Sequence, residues 1–273
     1  MFTASYIPLL GENVTEARSG AYMQSGHAAT AYAPVLAAGV GVRHGSGWAL
    51  RSVTFRLDRS DLGSAALGIV SRRPAASASL IDVLTGLAQL DYGSLRVLGQ
   101  DMSTARGRSI ARPQVGIARR IGRLQPACRI RGLVEHAARL ARQPGQDRQL
   151  LVAAILDRLA LAPWADVPVR AAPDLVVARA RIAAAAVHQP SLLLIDGLLD
   201  DLCEPDQAIL AEVIRELERD TALIVIGRDP DPLTRACPEV LALADGVLIG
   251  RRPAWLPAAR PHELWLPEPA CRD

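Results

Sequence analysis

The sequence predicts an α/β fold whose sheet is mostly parallel and is covered on both faces. Two fully apolar runs, SLLLID at 191–196 and ALIVIG at 222–227, support this prediction, because strands buried on both faces lack polar alternation. Helical patterns at 179–187 and 204–219 precede the two runs. Half of the 273 residues are hydrophobic and 4% are aromatic, which excludes a disordered chain and a disulfide-held scaffold.

The first half of the chain combines strand-like runs with one helix. The helix is predicted over 79–90, where Leu80, Leu84 and Leu87 share one face. A turn at 91–93 then leads into the short strand SLRVLG. Further β-type runs lie upstream of the helix, separated by Gly, Ser and Asp, at 35–42, 50–57 and 65–70.

The middle of the chain, about 121–170, is predicted to be helical. LVEHAARLAR and RQLLVAAILDRLAL have helical spacing, and Pro163 closes the second segment. Near the end, VLALA and VLIG flank the Asp-Gly dipeptide at 245–246, which is a strong hairpin signal. We expect a poorly ordered leader over 1–33, where periodicity is absent, and an irregular, proline-containing tail over 251–273.

Charge and cysteine usage narrow the classes of function. The net charge of +3 is too small to indicate a nucleic-acid partner by itself. Every basic side chain is arginine and the sequence contains no lysine, which removes each mechanism that needs one. No uncharged apolar stretch approaches the roughly 20 residues that cross a bilayer. We therefore expect a cytoplasmic protein. The four cysteines have no metal-ligand spacing and suit a reduced compartment: Cys128, Cys203, Cys237 and Cys271.

Five segments follow one another in a characteristic order. They are GIVSRRPAASASLIDVLTGL at 68–87, DYGSLRVLGQDM, VGIARR at 115–120, VHQPSLLLIDG at 187–197, and ALIVIGRDPD with VLALADGVLIG. Each has a counterpart, at about the same separation, in one family: the phosphate loop and its helix, the following strand pair, the Q-loop strand, the Walker B strand, and the switch strand with the closing hairpin. Over about 34–250 the chain resembles the ATP-binding domain of ABC transporters.

The resemblance implies a P-loop NTPase-like ABC ATPase fold. In this fold a mostly parallel core sheet is joined by an antiparallel β subdomain and a helical subdomain, the latter at about 121–178 here. The division of the chain is then a leader over 1–33, the ATP-binding-like domain over 34–250 and the tail over 251–273.

The phosphate loop that the resemblance places at 71–79 has lost its working residues. The family's GxxxxGK[ST] binds phosphates with backbone N–H groups, a lysine and a hydroxyl on Mg²⁺. Its first glycine is Ser71, its second is Pro74 or Ala76, its lysine is Ser77, and its magnesium-binding hydroxyl is Ala78. Pro74 has no N–H to donate and fixes φ, so this loop cannot bind phosphate as the family's loop does. Ser79 keeps a hydroxyl.

The remaining catalytic positions differ in the same direction. Asp196 stands where the Walker B aspartate binds magnesium, but the catalytic glutamate after it is Gly197. The Q-loop glutamine is Arg120 and the switch histidine is Arg228. The aromatic residue that stacks on adenine falls at or near His44, which keeps a weaker capacity to stack.

The signature and D-loop positions are altered as well. LSGGQ corresponds to APDLVVA at 172–178, where Asp174 caps the coming helix but would repel a γ-phosphate. The D-loop aspartate corresponds to Cys203, with Asp200 and Asp201 close by. Because each family member supplies a phosphate loop to one ATP and a signature to the other, the losses affect both halves of the composite site. We therefore expect no catalytic residues and a non-hydrolytic chain.

The resemblance implies a vestigial nucleotide pocket, and two hypotheses describe its contents. In the first, its arginines pair with Asp196, Asp200, Asp201 or Asp229 and close the pocket. In the second, they form a non-hydrolytic anion or nucleotide site. No cofactor is expected, unless the altered pocket still binds ATP and Mg²⁺, and no metal unless at Asp196. The pocket residues are His44, Ser71, Arg72, Arg73, Pro74, Ala75, Ala76, Ser77, Ala78, Ser79, Arg120, Asp196, Gly197 and Arg228.

Three functions follow from these observations. The favoured one is a degenerate ATP-binding subunit that is a structural or regulatory partner of a membrane transport protein, bound peripherally at the inner face of the membrane. Its expected partners are a transmembrane transporter subunit or another multi-span membrane protein, and a second copy or an intact ABC ATPase. The alternatives are an active ABC-type ATPase and an arginine-rich nucleic-acid binder that uses the basic stretch at 106–123. The last is not favoured, because that stretch lacks aromatic stacking groups.

Overall fold

The computed structural model describes residues 33–45, 47–58, 65–120, 128–141 and 145–253. Of the predicted leader only Ala33 is described, and the tail beyond Pro253 lies outside these residues. Within the described ranges, no helix combines the length and the apolar character that crossing a membrane requires.

Two sheets and seven α-helices make up the described part of the chain. The strands are β1 (Val35–His44), β2 (Gly47–Leu57), β3 (Ala66–Ser71), β4 (Tyr92–Val97), β5 (Gln100–Asp101), β6 (Val115–Arg119), β7 (Leu192–Asp196), β8 (Ala222–Gly227), β9 (Glu239–Ala244) and β10 (Val247–Pro253). The helices are α1 (Pro74–Leu84), α2 (Ala105–Ala111), α3 (Ile130–Leu140), α4 (Gly145–Arg158), α5 (Asp174–Ala186), α6 (Glu204–Glu218) and α7 (Pro230–Ala236).

The core sheet has six strands in the order β10-β9-β3-β8-β7-β6. All neighbours are parallel except β10, which pairs antiparallel with β9. Buried side chains project from both faces of the sheet at its centre. Leu193 and Ile195 belong to one hydrophobic cluster, whereas Leu192 and Leu194 belong to another. The predicted parallel sheet with two covered faces is confirmed, and the apolar runs lie at its centre.

The first cluster lies under a layer of helices. Ile130 and Val134 of α3, Leu156 of α4 and Ile182 of α5 are buried there, together with residues of α6 and α7. Helices α3 and α4 form the predicted helical lobe, and α5 connects the lobe to the sheet.

The second cluster lies between the core sheet and the smaller sheet. That sheet is antiparallel, with the order β2-β1-β4-β5. Helix α1 contributes the buried side chains of Leu80, Ile81 and Leu84 to this cluster, and Val35 and Leu50 of the smaller sheet belong to it as well. The antiparallel subdomain implied by the family resemblance is therefore present.

Helices α1 and α5 begin five residues earlier than their patterns predicted. Helix α1 begins at Pro74 instead of residue 79, because proline is well suited to the first turn, where its missing N–H has no intrahelical partner. Helix α1 also ends at Leu84 instead of residue 90, since Gly86 has a positive φ of 70°. Helix α5 begins at Asp174 instead of residue 179.

The closing hairpin has the predicted turn but a longer second strand. Asp245 and Gly246 have φ values of 48° and 78°, which a two-residue hairpin turn of the primed type requires. Strand β10 extends to Pro253, so residues 251–253 belong to the sheet and not to an irregular tail.

Candidate functional site

The carboxyl ends of β3, β6, β7 and β8 border a cavity of about 270 Å³. This edge is where open parallel sheets form ligand sites, because the loops that leave adjacent strands converge there. The structure brings most of the predicted pocket residues to this cavity: Ser71, Arg72, Pro74, Ser77, Ala78, Arg120, Asp196, Gly197 and Arg228. Arg119, Asp200, Ile226 and Gly227 complete its lining.

In the segment at the phosphate-loop position, hydrogen-bond donors bind a backbone carbonyl of the same segment. Arg73 is the residue before α1, and its carbonyl accepts from the backbone N–H groups of Ala76 and Ser77 at 3.1 and 3.2 Å. The hydroxyls of Ser71 and Ser77 donate to the same carbonyl, at 3.3 and 3.4 Å. These four donors therefore point at one carbonyl oxygen of the chain.

Arg119 is the cation that faces Asp196, although the sequence had drawn attention to Arg120. The two residues are register partners at the ends of β6 and β7, and Arg119 Nε lies 3.9 Å from Asp196 Oδ2. Arg119 Nη2 also donates to Asp82 Oδ1 of α1, at 3.1 Å. Arg119 thus connects the first helix of the site to the carboxylate at the Walker B position.

The Asp196 carboxyl is three-quarters shielded from solvent, with 28% of its side chain exposed. Burial raises its pKa above the ordinary value, and the guanidinium of Arg119 lowers it by a smaller amount. Asp200 raises this pKa further and Arg120 lowers it. The neighbouring arginines therefore offset only part of the effect of burial on this carboxyl.

A second ion-pair network joins the loops after β6, β7 and β8. Asp200 Oδ1 accepts from the backbone N–H of Arg228 at 2.8 Å, and Asp200 Oδ2 accepts from Arg228 Nε at 3.1 Å. Asp201 Oδ1 accepts from Arg228 Nη2 at 3.0 Å, and Asp201 Oδ2 accepts from Arg120 Nη1. Arg120 and Arg228 thus pair with two of the aspartates that the first hypothesis named.

Gly197 adopts a backbone conformation that a side chain would strain. Its φ is 69°, and its N–H donates to the Ile226 carbonyl at 2.8 Å. A Cβ built at this position would lie 3.3 Å from Asp200 Oδ2 and 3.4 Å from Arg120. The position that corresponds to the catalytic glutamate is therefore closely surrounded by the second ion-pair network.

Five predicted residues do not line the cavity. Arg73 pairs instead with Asp245 of the closing hairpin, at 3.1 Å. His44 lies exposed at the end of β1. The other three are Ala75, Ala76 and Ser79, which belong to α1.

Two nearby aspartates serve as helix-end residues. Asp229, one of the alternative partners of the first hypothesis, does not pair with an arginine of the pocket in the described part of the chain; it caps α7 by accepting from the N–H of Asp231 at 3.2 Å. Asp174 is the first residue of α5 and makes no capping hydrogen bond, since the residue before the helix is Pro173. Its carboxylate lies in the first helical turn, where its negative charge interacts favourably with the helix dipole.

Most arginines of the basic stretch at 106–123 that the structure describes are engaged within the chain. Arg108 donates to the Met102 and Ser103 carbonyls, and Arg112 donates to the Gly86 carbonyl at 2.7 Å. Arg119 and Arg120 belong to the ion-pair networks of the cavity. This use of the guanidinium groups argues against a free basic surface for nucleic acid.

Sequence reasoning missed three residues that pair in or beside the site, namely Arg119, Asp82 and Asp245. Arg119 could have been found from its strand: if VGIAR and LLLID are aligned as parallel neighbours, Arg119 lies opposite Asp196. Asp82 and Asp245 gave no local signal, because each meets its arginine only in the folded chain.

Comparisons with known proteins show similarity to ATP-binding proteins of transport systems. No family model matches the chain. The methionine import ATP-binding proteins MetN 2 of Burkholderia mallei and Burkholderia pseudomallei are each 27% identical over 214 residues, which cover 76% of this chain and 52% of theirs. The chain therefore spans about half the length of these relatives.

Solved structures of ABC-transporter components share the fold. CbiO1 of Clostridium perfringens, part of the transporter complex CbiONQ, superposes with a TM-score of 0.70 at 16% identity and covers 81% of this chain and 89% of its own. An ATP-binding cassette in its ADP conformation superposes with a TM-score of 0.69 at 13% identity, covering 81% of this chain and 91% of its own. The chain is thus similar in sequence, and equivalent in fold, to the ATP-binding domains of ABC transporters.

Proposed function

We propose that the chain is a non-hydrolytic ABC ATP-binding-type subunit that is a structural or regulatory partner of a membrane transport protein. The observation that carries this proposal is that the phosphate-loop lysine is absent and that an arginine of the chain itself lies beside the Walker B carboxylate. Where an ATP-binding domain of this family uses a lysine and Mg²⁺, this chain has Ser77 and an ion pair between Arg119 and Asp196.

The residues of the cavity do not fit Mg²⁺-ATP bound in the family's manner. Pro74 offers no N–H to a phosphate, and the nearby donors of Ala76 and Ser77 bond to the Arg73 carbonyl. Asp196, the one expected magnesium ligand, has the Arg119 guanidinium beside it. Loss of a single well-placed electrostatic group typically costs about 10²–10³ in rate, and here several are replaced together.

The transport context rests on the relatives and on the described helices of the helical lobe. The similar proteins are named as methionine import ATP-binding proteins, and CbiO1 is described as part of a transporter complex. The family resemblance implies that the helical lobe and the Q-loop region contact the transmembrane subunit. Helices α3, α4 and α5 are all present in this chain.

A steady-state assay of phosphate release from ATP and Mg²⁺ tests the proposed loss of activity. We expect turnover below about 1 per minute, far under the usual range of enzymes. A higher rate that Asp196→Asn abolishes would contradict the proposal, because that variant removes the remaining family carboxylate. A rate that Asp196→Asn leaves unchanged would belong to a contaminating enzyme.

An active ATPase is the second candidate, and the names of the relatives favour it. The methionine import proteins are called ATP-binding, and another structure with this fold is described as bound to ADP and Pi. The same assay separates the two candidates. The partner is tested by affinity purification from native membranes: recovery of a multi-span membrane protein in constant ratio supports the proposal, whereas a partnerless monomer contradicts it.

A further inference from the structure

The Asp201 carboxylate lies between two guanidinium groups from different loops. Its Oδ1 accepts from Arg228 Nη2 at 3.0 Å, and its Oδ2 accepts from Arg120 Nη1. One arginine follows β6 and the other follows β8. Two arginines that each contact a separate oxygen of one anion form the arrangement by which guanidinium groups bind phosphate as well as carboxylate.

The two aspartates of this network differ in burial, and this difference separates their roles. The Asp200 side chain is 8% exposed and binds both the backbone N–H and the Nε of Arg228. The Asp201 side chain is 52% exposed and contacts only the outer nitrogens of the two arginines. Asp200 therefore fixes the guanidinium of Arg228, whereas Asp201 lies on the outward face of that guanidinium, where solvent reaches it.

We propose that Arg120 and Arg228 form a receptor for a phosphate-class oxyanion, and that Asp201 occupies this receptor within the chain. The carboxylate is an internal competitor: while it is in place, an external anion must displace it. Without its charge, Arg228 retains the Asp200 carboxylate and Arg120 retains its interaction with the Asp196 carboxyl, while Arg72 lies exposed at the same cavity. The receptor is then cationic and open to solvent.

This inference goes beyond the proposed function and does not depend on it. A chain that hydrolyses ATP and a chain that does not would both gain an anion site when Asp201 is neutralised. Phosphate release by the wild-type protein tests the proposed function, whereas phosphate binding by the Asp201 variants tests the receptor.

The experiment measures equilibrium binding of inorganic phosphate to the full chain by calorimetry, for the wild type and for Asp201→Asn. We expect the variant to bind phosphate at least about tenfold more tightly, because a charge-assisted arginine–phosphate pair replaces the internal one. Adding Arg228→Gln to Asp201→Asn should abolish the gain. Asp201→Glu keeps the internal carboxylate and should bind no better than the wild type.

Asp220→Asn is the matched control, since Asp220 forms an exposed pair with Arg158 outside the cavity. It removes the same charge from the protein and should not improve phosphate binding. The proposal is overturned if Asp201→Asn binds phosphate no more tightly than the wild type while its circular dichroism and melting temperature remain those of a folded protein. It is also overturned if Asp220→Asn gains as much affinity, or if Arg228→Gln leaves the gain in place.

ATP is titrated alongside phosphate, because a terminal nucleotide phosphate and a free oxyanion have the same receptor chemistry. In Asp201→Asn, tighter binding of ATP than of phosphate identifies the nucleotide as the source, and equal binding identifies the free oxyanion. Both results support the receptor, provided that Arg228→Gln removes them.

Discussion

The Asp200 carboxylate binds Arg228 twice, through the backbone N–H at 2.8 Å and through Nε at 3.1 Å, while only 8% of its side chain is exposed. A buried acceptor with two such donors holds the loop after β8 against the loop after β7. The ends of two neighbouring strands of the core sheet are therefore joined by one side chain.

Replacing Asp200 should destabilise the folded chain. Asp200→Ala leaves the Arg228 N–H without its acceptor, and we expect the free energy of unfolding to fall by about 2 kcal/mol, since the half-exposed guanidinium can turn to water. Urea unfolding measures this change. Asp157 is exposed on α4 without an ion-pair partner in the described residues, so Asp157→Asn should change stability by less than about 0.5 kcal/mol. Equal effects of the two variants would contradict the assigned role of Asp200.

Asp196 should make stability depend on pH in the acidic range. Because burial raises the pKa of this carboxyl in the folded chain, the folded state binds its proton more tightly than the unfolded state. The group therefore stabilises the fold at low pH, and this contribution is lost as the pH rises from about 3.9, the ordinary carboxyl pKa, through the raised value.

Asp196→Asn should remove that loss. We expect the variant to be more stable than the wild type at neutral pH, by less than about 1 kcal/mol, with the difference vanishing below the ordinary pKa. Unfolding by urea between acidic and neutral pH measures both curves. A variant that is less stable than the wild type at neutral pH would show instead that the pairing with Arg119 outweighs burial.

Gly197 should tolerate no side chain without strain. Its φ of 69° and the close approach of Asp200 predict that Gly197→Ala lowers the free energy of unfolding by about 1 kcal/mol or more. Gly145, where a Cβ would meet open space, is the control. Gly145→Ala should be neutral or stabilising by up to about 1 kcal/mol. If the two variants change the melting temperature by the same amount, a side chain at position 197 does not strain the backbone.

Arg112 should contribute to stability through the end of α1. Its guanidinium donates to the Gly86 carbonyl at 2.7 Å and to the Thr85 carbonyl at 3.4 Å, both just beyond that helix. Arg112→Gln should cost about 1 kcal/mol, measured by urea unfolding. Arg106, exposed in the same basic stretch without a hydrogen-bond partner in the described residues, is the control: Arg106→Gln should change stability by less than about 0.5 kcal/mol. The opposite order would indicate that α1 does not use Arg112.

The fold could be predicted from the sequence because its signals are local or periodic. The two central strands are uniformly apolar, the hairpin turn contains Asp-Gly, and both buried clusters follow from side chains that alternate along β7. The starts of α1 and α5 were misplaced, since neither Pro74 nor Asp174 belongs to the apolar pattern of its helix.

The contents of the cavity were predictable only in part. Arginine–aspartate pairing was foreseen for Arg120 and Arg228, because the family resemblance places both arginines at the nucleotide pocket, close to Asp200 and Asp201. The pairing of Arg73 with Asp245 was not, since it depends on how the hairpin turn packs beside α1. The carboxylate with which each arginine pairs depends on side-chain geometry in the folded chain, which a local sequence pattern does not contain.

The position of Arg119 between Asp82 and Asp196 has a consequence for how the chain would respond to its surroundings. In an ATP-binding domain that binds magnesium, part of the positive charge at the site comes from a metal ion taken up from solution. The conformation of such a site therefore depends on the concentrations of metal and nucleotide. Here the positive charge beside the carboxylates belongs to the Arg119 side chain, which is part of the chain itself. A chelator, or a change in free magnesium, should therefore leave the conformation of this strand edge unaltered.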